Sequence, residues 1–310
     1  MSVELGIKSD PILYRYSWDW LFGVMRDNSV DQMQLGSYFE LYSLEDSYFR
    51  DLRRNAEEQG IRIRSCFTAH RELGGFFSRD ARIQRAAYRS YHRFIEIAAL
   101  LGADYCGSNP GSVLRDQMDD KEAGTRRYIE AMLELRKFAA TCGLQALTLE
   151  PMSCLAEPPT THSEIESMME ALSVDCEEKT VPVYLCGDIS HGYADEHSHV
   201  VEGNIHLFES SIPYLGEFHY KNTDERFGST FGFSAEERRR GIVDLDEVLN
   251  LLLRSREELP VSELVGYLEL PGPKLGRDYS DRELGQQLSD SIQAIRAAME
   301  RCLPERQAPV

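Results

Sequence analysis

Glu150, Asp188, His219 and Glu269 each close an apolar, β-rich run: Ala-Leu-Thr-Leu-Glu150, Val-Tyr-Leu-Cys-Gly-Asp188, Gly-Glu-Phe-His219 and Val-Gly-Tyr-Leu-Glu269. A solvated strand end or a buried ion pair would account for any one of them. Four in succession, all of metal-ligating type, point to one shared ion. Three carboxylates and an imidazole suit Mn2+, Mg2+ or Co2+ better than a structural zinc, and Mn2+ is the favoured choice. Neighbouring strands stand about 4.8 Å apart, so ligands on the outer strands must reach farther. The outer two are the longer Glu and the inner two are Asp and His.

Such residues need a scaffold, and the rhythm of the chain supplies one. Short strand-like runs at Val3–Lys8, Gln32–Tyr38, Ile61–Ala69, Asp104–Pro110, Ala146–Met152, Val181–Ile189, Glu217–Asn222 and Leu264–Leu270 alternate with longer amphipathic runs. The spacing predicts helices over Asp46–Gln59, Ala81–Leu101, Ala123–Cys142 and Asp281–Arg301, where apolar residues recur at three- and four-residue steps. Gly60, Gly102 and Gly143 stand where a left-handed helix cap is wanted. Strands alternating with helices imply a parallel sheet, and this number of units favours a closed (β/α)8 TIM barrel. Residues 1–302 are read as a single barrel domain and 303–310 as a disordered tail. The stretch from Thr223 to about Asp244 reads as one long irregular loop, of a length more often functional than idle.

Composition narrows the partners. At 310 residues the chain suits a barrel, a fold that commonly runs to about 250 residues or more. Its net charge of −18, with no basic run longer than Arg238-Arg239-Arg240, argues against nucleic acid. Nothing resembles a membrane span. The start, Met-Ser-Val-Glu-Leu-Gly, lacks the features of a secretory signal, which gives a cytoplasmic expectation. Seven cysteines without a C-x-x-C pair speak against a disulfide framework or zinc knuckle.

Other residues are candidates for holding substrate. Lys274 and Arg277 lie in the Gly-containing loop after the last strand, and in many barrels the loops after strands seven and eight bind phosphate. Lys221 points to the same side of its strand as His219; Lys8 and Arg71 are further cations, and His70 ends the third strand. Tyr14, Tyr16, Trp18 and Trp20 either wall a pocket or, more commonly, join the core.

At the four ligand positions the chain resembles the xylose-isomerase-like barrel superfamily, in particular the sugar-phosphate isomerase and epimerase branch with the D-tagatose and D-psicose 3-epimerases. Leu-Glu150-Pro, Asp188-Ile-Ser-His191, His219-Tyr-Lys221 and Gly266-Tyr-Leu-Glu269 carry the resemblance. It implies that Glu150 and Glu269 are both metal ligands and the proton-transfer pair, with Asp188 and His219 completing the coordination. It also implies that His191, and at slightly shifted offsets Glu157 and Arg226, contact substrate.

Apurinic-site endonucleases share the four positions. They place a His on the fourth strand where this chain has Asn109, a candidate substrate contact here, and an Asp-x-His after strand seven that is missing from Thr223–Asp244. The expected function is therefore metal-dependent epimerisation or isomerisation of a short ketose or ketose phosphate through an enediolate. An inosose-type dehydratase is the alternative, and a non-catalytic sugar-binding barrel a more remote one. The expected partner is a small sugar or sugar phosphate, with a homodimer or homotetramer left open.

Overall fold

The structure, a computed structural model, describes residues 2–36, 39–68, 74–174, 179–271 and 281–303. Strands β1 (Ser2–Lys8), β2 (Gln32–Gly36), β3 (Arg62–Thr68), β4 (Tyr105–Ser108), β5 (Ala146–Leu149) and β6 (Val183–Asp188) precede a short antiparallel pair, β7 (Tyr193–Ala194) and β8 (Val200–Glu202). Then come β9 (Leu215–Tyr220) and β10 (Glu263–Leu268). All but β7 and β8 close into one barrel in the order β1-β10-β9-β6-β5-β4-β3-β2. The pairings around it are parallel, so this is a (β/α)8 TIM barrel. The strands that lead to Glu150, Asp188, His219 and Glu269, which are β5, β6, β9 and β10, are consecutive in the barrel.

The helices are α1 (Trp18–Asp27), α2 (Asp46–Glu58), α3 (Ala81–Leu101), α4 (Lys121–Cys142), α5 (His162–Leu172), α6 (Asn204–Ser211), α7 (Ala235–Arg240), α8 (Leu245–Arg254) and α9 (Leu284–Cys302). Each amphipathic helix turns its apolar stripe toward the barrel. In α2 the buried residues are Phe49, Leu52 and Ala56, spaced as one helical face requires. The Asp80 side chain caps α3 by accepting from the Arg82 amide. Gly60, Gly102 and Gly143 take the expected left-handed conformation, with φ of 75°, 73° and 84°.

Two local readings of the sequence change. The stretch after β9 is not irregular throughout. Phe231 pairs with Asn222 in an antiparallel bridge, and α7 follows, opened by a capping box between Ser234 and Glu237. The β7–β8 hairpin was not foreseen. The last residues, 304–310, lie outside the described ones, so the expected tail does too.

Packing inside the barrel leaves no room at Gly107 on β4. A Cβ there would lie 2.0 Å from Thr148 Oγ1 and 2.4 Å from the Thr148 carbonyl oxygen. The second of these atoms is backbone and cannot rotate away. We expect Gly107→Ala to cost at least about 3 kcal/mol, the upper end for overpacking. A melt should then show Tm lowered by roughly 5 °C or more, given an unfolding entropy of about 2.1 cal/mol/K per residue over 310 residues.

Candidate metal centre

Each ligand sits at the C-terminal mouth for a reason of register. Asp188 is the last residue of β6, and it pairs with His219 on β9. Glu150 and Glu269 lie one residue beyond β5 and β10, and the Glu269 amide still bonds the Tyr220 carbonyl at 3.0 Å. Side chains on a strand alternate between faces. Glu217, His219 and Lys221 therefore share the inner face of β9, while Phe218 turns outward and packs against Phe208 of α6.

These side chains converge. His219 Nδ1 stands 2.9 Å from Glu150 Oε1, 3.1 Å from Glu269 Oε2 and 3.9 Å from Asp188 Oδ2. One ligand atom from each of the four residues lies within 4.8 Å of the others. Glu150, Asp188 and His219 are buried and Glu269 is nearly so. Ser190 orients Asp188: its amide and hydroxyl both donate to Oδ1, at 2.8 and 2.7 Å. That turns Oδ2 toward the cluster.

Two buried lysines complete the surroundings. Lys221 pairs with Asp188 Oδ2, stands 3.6 Å from Glu269 Oε2, and donates to His191 Nε2 at 3.0 Å. Lys8, at the end of β1, lies 3.1 Å from Glu269 Oε1 and 3.0 Å from Asp10. Burial pushes Asp188 toward its neutral form, but the neighbouring His191 and Lys221 outweigh it and hold its carboxyl at about 2. Burial is likewise overcome at Glu269, which Lys221, Lys8 and His219 keep well below the usual carboxylate range. At His219 burial disfavours the charged ring, yet Glu269 and Glu150 raise it above its ordinary value.

The donor set fits a divalent cation. Glu150, Asp188, Glu269 and Asp10 bring four negative charges, and Lys8 and Lys221 return two. Carboxylates thus outnumber the lysines around His219, an excess of acidic oxygen donors that a divalent ion would balance. Uncompensated buried charge is expensive, and hard oxygen donors with one imidazole suit Mn2+, Mg2+ or Co2+. Among the described residues no other cluster of this kind occurs.

The remaining candidates divide clearly. His191 is at the site: its Nδ1–H donates to the Pro151 carbonyl at 2.8 Å, leaving Nε2 to accept from Lys221. Asn109 donates to Glu150 Oε2 and approaches the Met152 sulfur at 2.9 Å. Glu157 stands in the loop after β5, where its carbonyl accepts from Thr160. The Arg226 side chain is exposed beside Glu225 and does not join the cluster. His70, Arg71, Lys274 and Arg277 lie outside the described residues. Tyr16 stacks on Trp20 with centroids 3.9 Å apart, and the Trp18 indole donates to Tyr48 at 2.9 Å, so these rings pack together. Cys66, Cys106 and Cys186 are buried, unpaired core residues.

Sequence reasoning missed Gln34 and Phe67, which contact His219, and undervalued Lys8, noted only as one of several cations. The sequence signal for Gln34 was a polar residue inside the apolar run Met33-Gln34-Leu35. A cleft of about 520 Å³, lined by Arg115, Ser153, Cys154, Tyr193, Asp195 and His197, opens between the loops after β4, β5 and β6.

The chain is a closed parallel barrel with an acidic, His-containing cluster at its C-terminal mouth that could hold a cation. The chain belongs to the xylose isomerase-like TIM barrel family, whose pattern matches residues 27–264. Solved structures resemble it over nearly the whole length. A putative xylose isomerase from Rhodospirillum rubrum is 18% identical with a TM-score of 0.75, covering 96% of this chain and 99% of that one. D-psicose 3-epimerase from Clostridium cellulolyticum, solved with D-tagatose, is 17% identical with a TM-score of 0.70, covering 96% and 99%. A probable 3-DHS dehydratase from Bacillus anthracis is 11% identical with a TM-score of 0.64, covering 94% and 98%. No curated protein matches the chain in sequence. No helix among the described residues is long and apolar enough to cross a membrane.

Proposed function

We propose that this protein is a metal-dependent epimerase or isomerase of a short ketose or ketose phosphate. The observation that carries the reading is the convergence of Glu150 and Glu269 on one buried cation-binding centre with Asp188 and His219. A binding protein would have no use for two carboxylates so placed. The structural kinship with epimerases supports the same reading.

Glu150, Asp188, His219 and Glu269 would hold the ion. When bound, it supplies Lewis-acid chemistry, lowering the cost of the negative charge that develops on substrate oxygens as a neighbouring C–H is broken. The chain supplies the rest. One of the two Glu carboxylates takes the proton from the carbon beside the carbonyl, and the other returns a proton to the opposite face, giving an epimer. Return to the neighbouring carbon by a single group gives an aldose–ketose isomerisation. Lys221 and Lys8 hold Glu269 ionised and ready to accept, at the cost of making it a weaker base. His191, fixed by Pro151, faces the centre beside Lys221, where a substrate hydroxyl can donate to its second nitrogen. Phe67 packs edge-on to His219, with centroids 5.3 Å apart, and walls that side from water.

A screen of ketoses and ketose phosphates with Mn2+ present tests the reading. Conversion of at least one to its epimer or aldose is expected, abolished by a chelator and restored by Mn2+. Conversion that survives complete chelation, or loss of water from every substrate turned over, would contradict it.

A further inference from the structure

His219 can bind a cation only through one nitrogen, and its other nitrogen is engaged in the barrel interior. Nε2 lies 2.8 Å from Gln34 Oε1, with both side chains fully buried. Cys186 Sγ is the other neighbour, at 3.4 Å. A carbonyl oxygen only accepts, so Nε2 must carry a proton. Nδ1 is then the nitrogen left to face Glu150, Asp188 and Glu269.

The orientation of the Gln34 amide is itself determined from below. Its nitrogen side faces Ser65 Oγ at 3.4 Å and the carboxylate of Glu217. Glu217 is buried two residues below His219 on β9 and accepts from Thr148 Oγ1 at 2.8 Å. With its nitrogen toward Ser65 and Glu217, the amide presents Oε1 to the His219 ring. Thr148, Ser65, Glu217 and Gln34 thus form a polar layer beneath the metal centre, in an interior that barrels usually fill with branched apolar residues.

We infer that Gln34 is a positioning residue: anchored by Glu217, it fixes the tautomer and ring orientation of His219 so that Nδ1 is presented to the ion. The inference rests on the metal-centre reading above. Outer partners of ligating histidines act in this way, and their loss typically costs about 10–100-fold in metal affinity.

Calorimetric titration of the whole metal-free protein with Mn2+ alone, comparing wild type, Gln34→Leu and Gln34→Glu, tests it. Gln34→Leu removes the acceptor and should weaken Mn2+ binding by about 10–100-fold. Gln34→Glu keeps an acceptor oxygen toward His219. It should stay within about threefold of wild type, well inside the loss expected without the acceptor. Nitrogen-15 spectra of histidine-labelled, Mg2+-loaded wild type should show His219 protonated at Nε2 and bare of hydrogen at Nδ1. This readout does not depend on any variant folding.

Unchanged affinity in Gln34→Leu, equal losses in both variants, or a wild-type His219 protonated at Nδ1 with metal bound would overturn the inference while leaving the metal centre standing. A wild type that binds no Mn2+ would remove the metal centre, and the inference with it.

Discussion

Glu269→Gln should lower turnover by at least about a hundredfold, the range of a lost general acid or base, while Mn2+ remains bound. The amide keeps an oxygen for the ion but cannot take up a proton. The structure adds a reason for the metal to stay: Glu150, Asp188 and His219 form the buried part of the cluster, whereas Glu269 is its most exposed member. The substitution also removes the charge that Lys8 and Lys221 both face, at 3.1 and 3.6 Å. Lys8 retains Asp10 and Lys221 retains Asp188, so the fold should tolerate the change. Steady-state kinetics beside metal analysis on the same preparation checks this. A loss of metal parallel to the loss of turnover would make Glu269 a ligand only.

Asp188→Asn should act in the opposite order, on the metal first. Asp188 is the fully buried carboxylate whose Oδ2 faces the centre, and Ser190 holds its other oxygen away. Replacing it removes one of the negative charges that the ion balances. Even outer partners of a metal site are worth about 10–100-fold, so loss of this ligand should weaken Mn2+ binding by at least about a hundredfold. Activity should follow the metal, returning in part when Mn2+ is raised. Elemental analysis of wild type and variant purified without chelator provides the measurement. Near one equivalent is expected in the wild type and little in Asp188→Asn. Equal content would place the ion elsewhere.

The convergence of Glu150, Asp188, His219 and Glu269 was legible because each interrupts an apolar strand at its end, where barrels of this kind place chemistry. The barrel was legible from the alternation of strand and helix periods, and Gly60, Gly102 and Gly143 marked helix ends by a conformation other residues avoid. Gln34 and Lys8 were less visible. Their inward orientation follows from the pairing of β1 and β2, where Lys8 lies beside Gln34, and register between distant strands is not written in local sequence. Arg226 shows the reverse limit. Its offset matched a substrate contact loosely, yet its backbone amide is used in a turn capped by Asp224 at 2.9 Å and the side chain points to solvent. The β7–β8 hairpin escaped notice because its two- and three-residue strands are too short to show a period of two.

Incubation in D2O with Mn2+ and a panel of ketoses and ketose phosphates tests whether the protein moves a proton beside a ketose carbonyl. For an epimerase working with Glu150 and Glu269 as separate bases, NMR should show solvent deuterium at C3 of the product, because the returning group exchanges with solvent. For a single-base isomerase it should show a C1–C2 transfer product, the aldose, with part of its hydrogen carried over from the substrate. Absence of both deuterium at C3 and an aldose, with every ketose tried, would show that the protein does not move a proton in this way.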